Sequence, residues 1–322
     1  MEHKVIDTHA HLWPNGYLDA LKQQGSNDTD VARDIGADDS NESIKKRIKM
    51  MDEAGVKFQI LSATPQSPQW GDEATCVKLA QQINNRYAEI MEQYPGRFKA
   101  YAAVPLPYVE ASIEEAKRAI TELGFYGVAV NTLIKNEIPM GDEKFDAFYD
   151  AINQLETVLY IHPTGCGAHS FLVNDYHLEW VIGAPIEDMI LPLIVLKKDL
   201  PNRYPQIKFH IAHLGGGLPF LMQRIEDNYE DWNAFTSSPT KMLKEHFWFD
   251  AANFHQPSLI SSVETFGVSR ILMGSDFPYF QNDKYLRAVR YIENSSLPEE
   301  EIADILYNNA QDLYGIDESS KK

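Results

Sequence analysis

The chain has 322 residues, 44% hydrophobic and 24% charged, a balance that suits a soluble globular protein and excludes a disordered or fibrous one. Its 29 Lys and Arg stand against 47 Asp and Glu, a net charge of −18, which argues against nucleic acid as a partner because that binding needs a basic footprint. No apolar run reaches the ~18 residues of a membrane span, the N-terminal MEHKVIDTHAHLW has no signal-peptide stretch, and Cys76 and Cys166 form no CxxC pair. The expected setting is therefore a reducing cytoplasm, away from membranes.

Short β-branched and aromatic runs alternate with stretches of helical spacing along the chain. VIDTHAHL (5–12) is the first strand, followed by a polar insertion at 23–43 that is too weakly apolar to form a core segment. A helix at 43–55 stops at Gly55, and FQILSATP (58–65) is the second strand. The helix at 72–96 ends on the Pro95–Gly96 breaker, and RFKAYAAVPL (97–106) follows. In 110–124 Ile113, Ala116, Ile120 and Leu123 share one helical face; GVAVNTL (127–133) is the fourth strand and 143–156 its helix. VLYIHPTG (158–165) opens onto a second insertion, 165–185, rich in Gly, His and aromatics, with a long helical region from Leu178 to Leu200. IKFHIAHLGG (207–216), a helix at 218–232, FWFDAAN (247–253), a helix at 257–267 and RILMGSDFP (270–278) complete the strands. Two helical segments at 283–314 and a frayed tail at 317–322 end the chain.

Eight strand–helix units predict parallel βαβ connections closed into one α/β, (β/α)8 TIM-like barrel domain spanning 1–322, with mouth insertions after strands 1 and 5. The near-continuous apolar strands fit a sheet covered on both faces, and neither GxGxxG nor GxxxxGK[ST] is present to mark a nucleotide-binding open sheet.

Function in such a barrel gathers at the C-terminal ends of the strands. His9 and His11, at i and i+2 on the first strand, project to one face. His162 closes the fifth strand, His213 the sixth and Asp276 the eighth. Barrel closure brings these ends into one mouth, and four imidazoles with one carboxylate match the nitrogen and oxygen ligands preferred by zinc and related divalent ions. Packing residues at strand ends is the bland reading, and four histidines with an aspartate at once strain it.

The segments DTHAH (7–11), HPTG (162–165), HLGGGLPF (213–220) and GSDFP (274–278) resemble the amidohydrolase superfamily. They are most similar to the branch containing 2-amino-3-carboxymuconate-6-semialdehyde decarboxylase, as are 47–65, 94–106 and 122–132. The resemblance implies one divalent metal ion, zinc first and manganese second, ligated by His9, His11, His162 and Asp276, with His213 and Asp276 catalytic. Members with two ions carry a lysine at the end of strand 4; here Asn131 stands there, and Lys135 lies beyond it in a polar loop.

The function implied is nonoxidative decarboxylation of a small unsaturated or aromatic carboxylic acid, with hydrolysis or hydration of a small lactone, ester or related carboxylated metabolite as the alternative. A non-catalytic metal-binding scaffold is the rival from another class. Arg224 matches an arginine that reaches a substrate carboxylate from a neighbouring subunit, so a homodimer is implied; a surface arginine paired with Glu226 or Asp227 is the plainer account. His255 and Trp13 are further substrate-binding candidates, and His169 and His177 are expected to line the cavity. Arg33 and Arg47 are weaker candidates, Arg47 being expected on a solvated helix face. His210 is expected on the outer strand face under the helices, His3 at a frayed end, and Cys166 inert.

Overall fold

The computed structural model describes residues 4–316; His3 and the tail at 317–322 lie outside the described residues. Eight strands form a parallel sheet in sequence order: β1 (Val5–His11), β2 (Val56–Ser62), β3 (Phe98–Ala103), β4 (Gly127–Asn131), β5 (Val158–His162), β6 (Lys208–Ile211), β7 (Phe247–Asp250) and β8 (Ile271–Leu272). The chain beyond β8 closes the barrel against β1: Thr8 N donates to Met273 O at 3.0 Å, Asp276 N to His9 O at 2.9 Å and His11 N to Phe277 O at 2.7 Å. This is the expected (β/α)8 barrel. A small antiparallel pair, Leu133–Ile134 with Ile138–Pro139, lies outside it.

The helices follow the strands: α1 (Tyr17–Gln23), α2 (Asn41–Glu53), α3 (Glu73–Gln93), α4 (Val109–Thr121), α5 (Asp146–Gln154), α6 (Ala184–Lys197), α7 (Leu218–Trp232), α8 (Pro239–His246), α9 (Gln256–Phe266) and α10 (Asp283–Glu293). Several start where the sequence supplies a cap, as when the Ser40 and Asp72 side chains accept from the backbone N–H groups of Ser43 and Thr75. The strands are shorter than their apolar runs. The eighth run extends to 278, yet its pairing with β7 ends at Leu272, and the chain then turns along β1, bridging Ala10 at Phe277, with Asp276 at φ 55°.

Ile6, Phe58, Ile60, Tyr101, Ala129 and Tyr160 form one buried cluster, and the C-terminal segment adds Tyr307, Ala310 and Leu313 to it. The larger core lies between sheet and helices. A bulge between Asp7 and Ala10 shifts the register of β1 against β2, the kind of irregularity that re-aims side chains beside active sites.

The insertion after β1 is not wholly peripheral. Ser26, Thr29, Ala32 and Ala37 are buried, because short residues can tuck against α1 and β1 without a long apolar pattern. The segment after β5 folds back on itself: a Cβ on Gly165 would sit 2.3 Å from the Trp180 ring, so only glycine fits under that indole. Glu187 on α6 fastens this segment, accepting from Thr164 N at 2.6 Å, Cys166 N at 3.1 Å and Thr132 Oγ1 at 2.5 Å.

Candidate active site

The structure brings together all five residues expected at the mouth. His9 and His11 face each other through their Nε2 atoms at 3.1 Å, and Asp276 Oδ1 lies 3.3 Å and 3.2 Å from those two nitrogens. The His162 ring stands 5.1 Å from that of His9 and 4.8 Å from that of His11, centroid to centroid. One ligand atom from each of His9, His11, His162 and Asp276 falls within 4.8 Å of the others, and all four residues are buried. His213 stands beside them, its Nε2 3.6 Å from Asp276 Oδ2.

The chemistry of this set fits a single divalent cation. His162 Nδ1 lies 2.8 Å from Pro163 O, which fixes its hydrogen there, and leaves Nε2 buried as a lone pair with no hydrogen-bond partner. An acceptor stranded in this way costs free energy that a cation relieves. His9 Nδ1 lies 3.1 Å from both oxygens of Asp250, and His11 Nδ1 3.0 Å from Ser62 Oγ. Each ring thus turns Nε2 toward the centre, with a carboxylate behind His9 in the manner of metal-ligating histidines.

Charge is partitioned within the cluster. Burial works against a charged His9, but the Asp250 carboxylate outweighs it and lifts its pKa to about 9. Burial pushes His11 down to about 4, only partly offset by Asp276, and holds His162 well below the usual histidine range, helped by its charged neighbours. His213 rises well above that range because Asp188, whose Oδ2 is 2.9 Å from Nδ1, overcomes burial. Burial raises Asp188 to about 6, with His213 working the other way. Hydrogen bonds from the histidines overcome burial at Asp276 and hold it well below the usual carboxylate range.

Asp250, Asp188 and Glu187 were not among the residues singled out from sequence. Asp250 had a signal: FWFD ends the seventh strand on an acid, as GSDF ends the eighth. Asp188 and Glu187 lie inside a helix and had none. His213 and Asp276 share a left-handed backbone, φ 54° and 55°. Such strain costs about 1–3 kcal/mol per residue and gathers at functional sites.

Other expectations need correction. Arg47 is not solvated: it is 1% exposed, donates from Nη2 to His11 O at 2.7 Å and lies 4.1 Å over the Phe277 ring. Its long apolar stem lets a helix bury it and deliver only the guanidinium to the strand end. His210 faces the barrel interior, with its ring 4.7 Å from that of Tyr160 and its Nε2 3.3 Å from Asp250 Oδ2. Strand parity misplaced it because β6 ends at Ile211, before His213 turns. His169 and His177 are exposed and outside the cavity lining.

Of the substrate-binding candidates, Trp13 is buried, stacked 5.7 Å from His11 and held by Nε1 to Ala63 O at 2.8 Å. His255 is exposed, its Nδ1 2.9 Å from Ser258 Oγ, and does not line the cavity. Arg224 is exposed on α7; Glu226 accepts from Thr240 and Asp227 from Gln223, so neither expected carboxylate partner engages it. Arg33 pairs with Asp19 at 2.7 Å. Asn131 donates to Pro65 O, and Lys135 Nζ points to Gly71 O. Burial and Glu187 raise the Cys166 thiol, which keeps it in the unreactive form.

The cavity above the cluster has a volume of about 610 Å³ and reaches His162, His213 and Asp276 at its base. Trp180, Phe254, Tyr279 and Phe280 wall it, with Val31 and Val181 from the two insertions. It suits a flat unsaturated molecule held between aromatic faces.

The sequence profile of the family described as amidohydrolase matches residues 6–316. Gamma-resorcylate decarboxylase of Polaromonas sp. (strain JS666) is 29% identical over 286 residues, covering 84% of this chain and 86% of its own. The 2-amino-3-carboxymuconate-6-semialdehyde decarboxylase of Dictyostelium discoideum is 26% identical, over 85% of this chain and 81% of its own. Among solved structures, dihydroxybenzoic acid decarboxylase from Polaromonas sp. JS666, with bound manganese and the inhibitor 2-nitroresorcinol, superposes with a TM-score of 0.84. It is 24% identical and covers 99% of this chain and 100% of that one.

Proposed function

The chain belongs to the amidohydrolase family, and from that premise we propose that it is a metal-dependent carboxy-lyase that removes carbon dioxide from small aromatic carboxylic acids without oxidation. The observation that carries this reading is the buried His9, His11, His162 and Asp276 cluster at the base of an aromatic-walled cavity. The decarboxylases named above support it. So does the placement of His213, which borders the cavity and the cluster at once.

His9, His11, His162 and Asp276 would hold one divalent ion, zinc first and manganese second, since a His3Asp set suits either. The chemistry such an ion would supply is Lewis-acid binding of substrate oxygens and an offset to developing negative charge. The remaining work belongs to the chain. The aromatic walls orient the ring and exclude water from the reacting carbon. His213, kept charged by Asp188, carries a proton at Nε2 next to Asp276 Oδ2. As the bond between ring carbon and carboxylate carbon breaks, carbon dioxide leaves, the electron pair stays on the ring carbon, and that carbon takes the proton from His213 Nε2, leaving the imidazole neutral.

The test is to incubate zinc- or manganese-loaded protein with a panel of hydroxylated benzoic acids and measure carbon dioxide and arene product. Release from at least one acid, abolished by His213→Ala and by Asp276→Ala, is expected. No release from any of them, together with turnover of a lactone or ester, would overturn the reading in favour of the hydrolase alternative.

We further read the protein as a homodimer in which Arg224 serves the neighbouring site. What supports this is that Arg224 shares α7 with Phe220, 92% exposed, and Trp232, 77% exposed, with Phe171 and Leu172 also exposed. Surface rings of this kind mark association faces. A monomer by sedimentation at micromolar concentration would dispose of it. The two free cysteines fit a cytoplasmic setting.

A further inference from the structure

Arg287 on α10 is the one Lys or Arg among the described residues that line the cavity. None of the predicted roles used it. Its guanidinium lies 5.5 Å over the ring of Phe254, itself a wall of the cavity and packed on Phe280 at 4.7 Å. No carboxylate among the described residues pairs with it, whereas Arg33, Arg86, Arg97, Arg118 and Arg203 each hold one. The same cavity is lined by His162 and Asp276 of the metal-ligand cluster, so one ligand within it can meet both the cluster and Arg287.

We propose that Arg287 forms an anion subsite in cis, and that the ligand this cavity selects is an aromatic acid bearing a second carboxylate. The proposal rests on reading the cavity as an aromatic-acid site. A chain of net charge −18 repels a dianion at long range, so recognition needs a local cation. A guanidinium suits this better than an ammonium, because its planar donors grip a carboxylate in two places. The Phe254 face lowers the cost by holding the group in place beforehand through cation–π attraction. Asp276 does not compete for Arg287, since His9, His11 and His213 surround it. The second carboxylate is not the one lost: it anchors the ring while the first sits over the cluster.

The test compares two probes that differ by one carboxylate, salicylate and 4-hydroxyisophthalate, binding to metal-loaded protein by calorimetry. Wild type is expected to bind the dicarboxylate about tenfold more tightly, as one charged pair in a partly enclosed site can provide. Arg287→Met should erase that preference, Arg287→Lys should keep part of it, and Arg290→Met, which removes an equal charge from the same helix outside the cavity lining, should leave it intact. Equal affinities in wild type, a preference that survives Arg287→Met, or binding of neither acid would overturn the proposal. Carbon dioxide is measured separately on the same samples. Arg287-dependent preference without release sinks the decarboxylase reading and spares the subsite, while release from the monocarboxylate with no effect of Arg287 does the reverse.

Discussion

Asp250 does more at residue scale than any side chain singled out from the sequence. It grips His9 with both oxygens and accepts from the backbone N–H of His213 at 3.2 Å, so one carboxylate sets the His9 ring and holds the backbone that carries His213. Asp250→Asn removes the charge and keeps the shape, and should weaken metal binding about 10–100-fold, read by competition with a chromophoric chelator. Asp188 acts on His213 alone. In Asp188→Asn the imidazole loses the carboxylate that keeps it charged, so turnover at neutral pH should fall about 100-fold with metal content unchanged. Equal metal loss in both variants would mean that the two acids do not divide the site in this way. Arg47 is structural by contrast: Arg47→Ala opens a cavity beneath Phe277 and strips a donor from His11 O. It should cost about 3 kcal/mol in urea unfolding.

At the scale of elements, the loop after β8 is where strand pattern and observed structure part. RILMGSDFP has the hydrophobicity of one long strand, yet only Ile271 and Leu272 pair with β7. Gly274 explains the turn: a Cβ there would come within 2.8 Å of His9 Cβ and 2.9 Å of Asp250 Cβ. The chain passes so close to β1 and β7 that no side chain fits, and this brings Asp276 to the two histidines. Gly274→Ala should therefore lower stability by about 1–3 kcal/mol, the usual cost of overpacking, and reduce metal uptake more than a surface Gly→Ala does. Thermal melts paired with elemental analysis check both. The segment after β5 obeys a similar rule, with Glu187 accepting from Thr164 and Cys166 there and from Thr132 after β4, none of which a local pattern linked to it.

Across the whole molecule the ligands arrive from distant parts of the chain, so a bound ion ties β1, β5 and the turn after β8 together. A ligand that binds only the folded state stabilises it by about 2.7 kcal/mol at a hundredfold excess over its dissociation constant. Stripping the metal should then lower the melting temperature by about 5 °C, and the shift should vanish in His162→Ala. A melting point unmoved by chelation and reloading would mean that the cluster does not hold an ion in the folded protein. The net charge of −18 adds a second expectation. Association with anionic acids should quicken as salt rises, since screening weakens long-range repulsion; stopped-flow binding at two ionic strengths measures it.

The order of eight strands, the barrel they close and the convergence of His9, His11, His162, His213 and Asp276 were readable from the sequence. Each depends on local periodicity or on position at a strand end, and the closure of a parallel barrel supplies the rest. The tertiary structure alone decided which way those groups face and what stands behind them. The bulge in β1, the left-handed turns at His213 and Asp276, the inward His210, the buried Arg47 and the meeting of Arg287 with the cavity all come from contacts between residues far apart in the chain. No window of sequence contains both members of such a pair. Hydrophobic pattern fixes where a strand lies, while hydrogen bonds and close approach of backbones fix the last ångströms of its side chains.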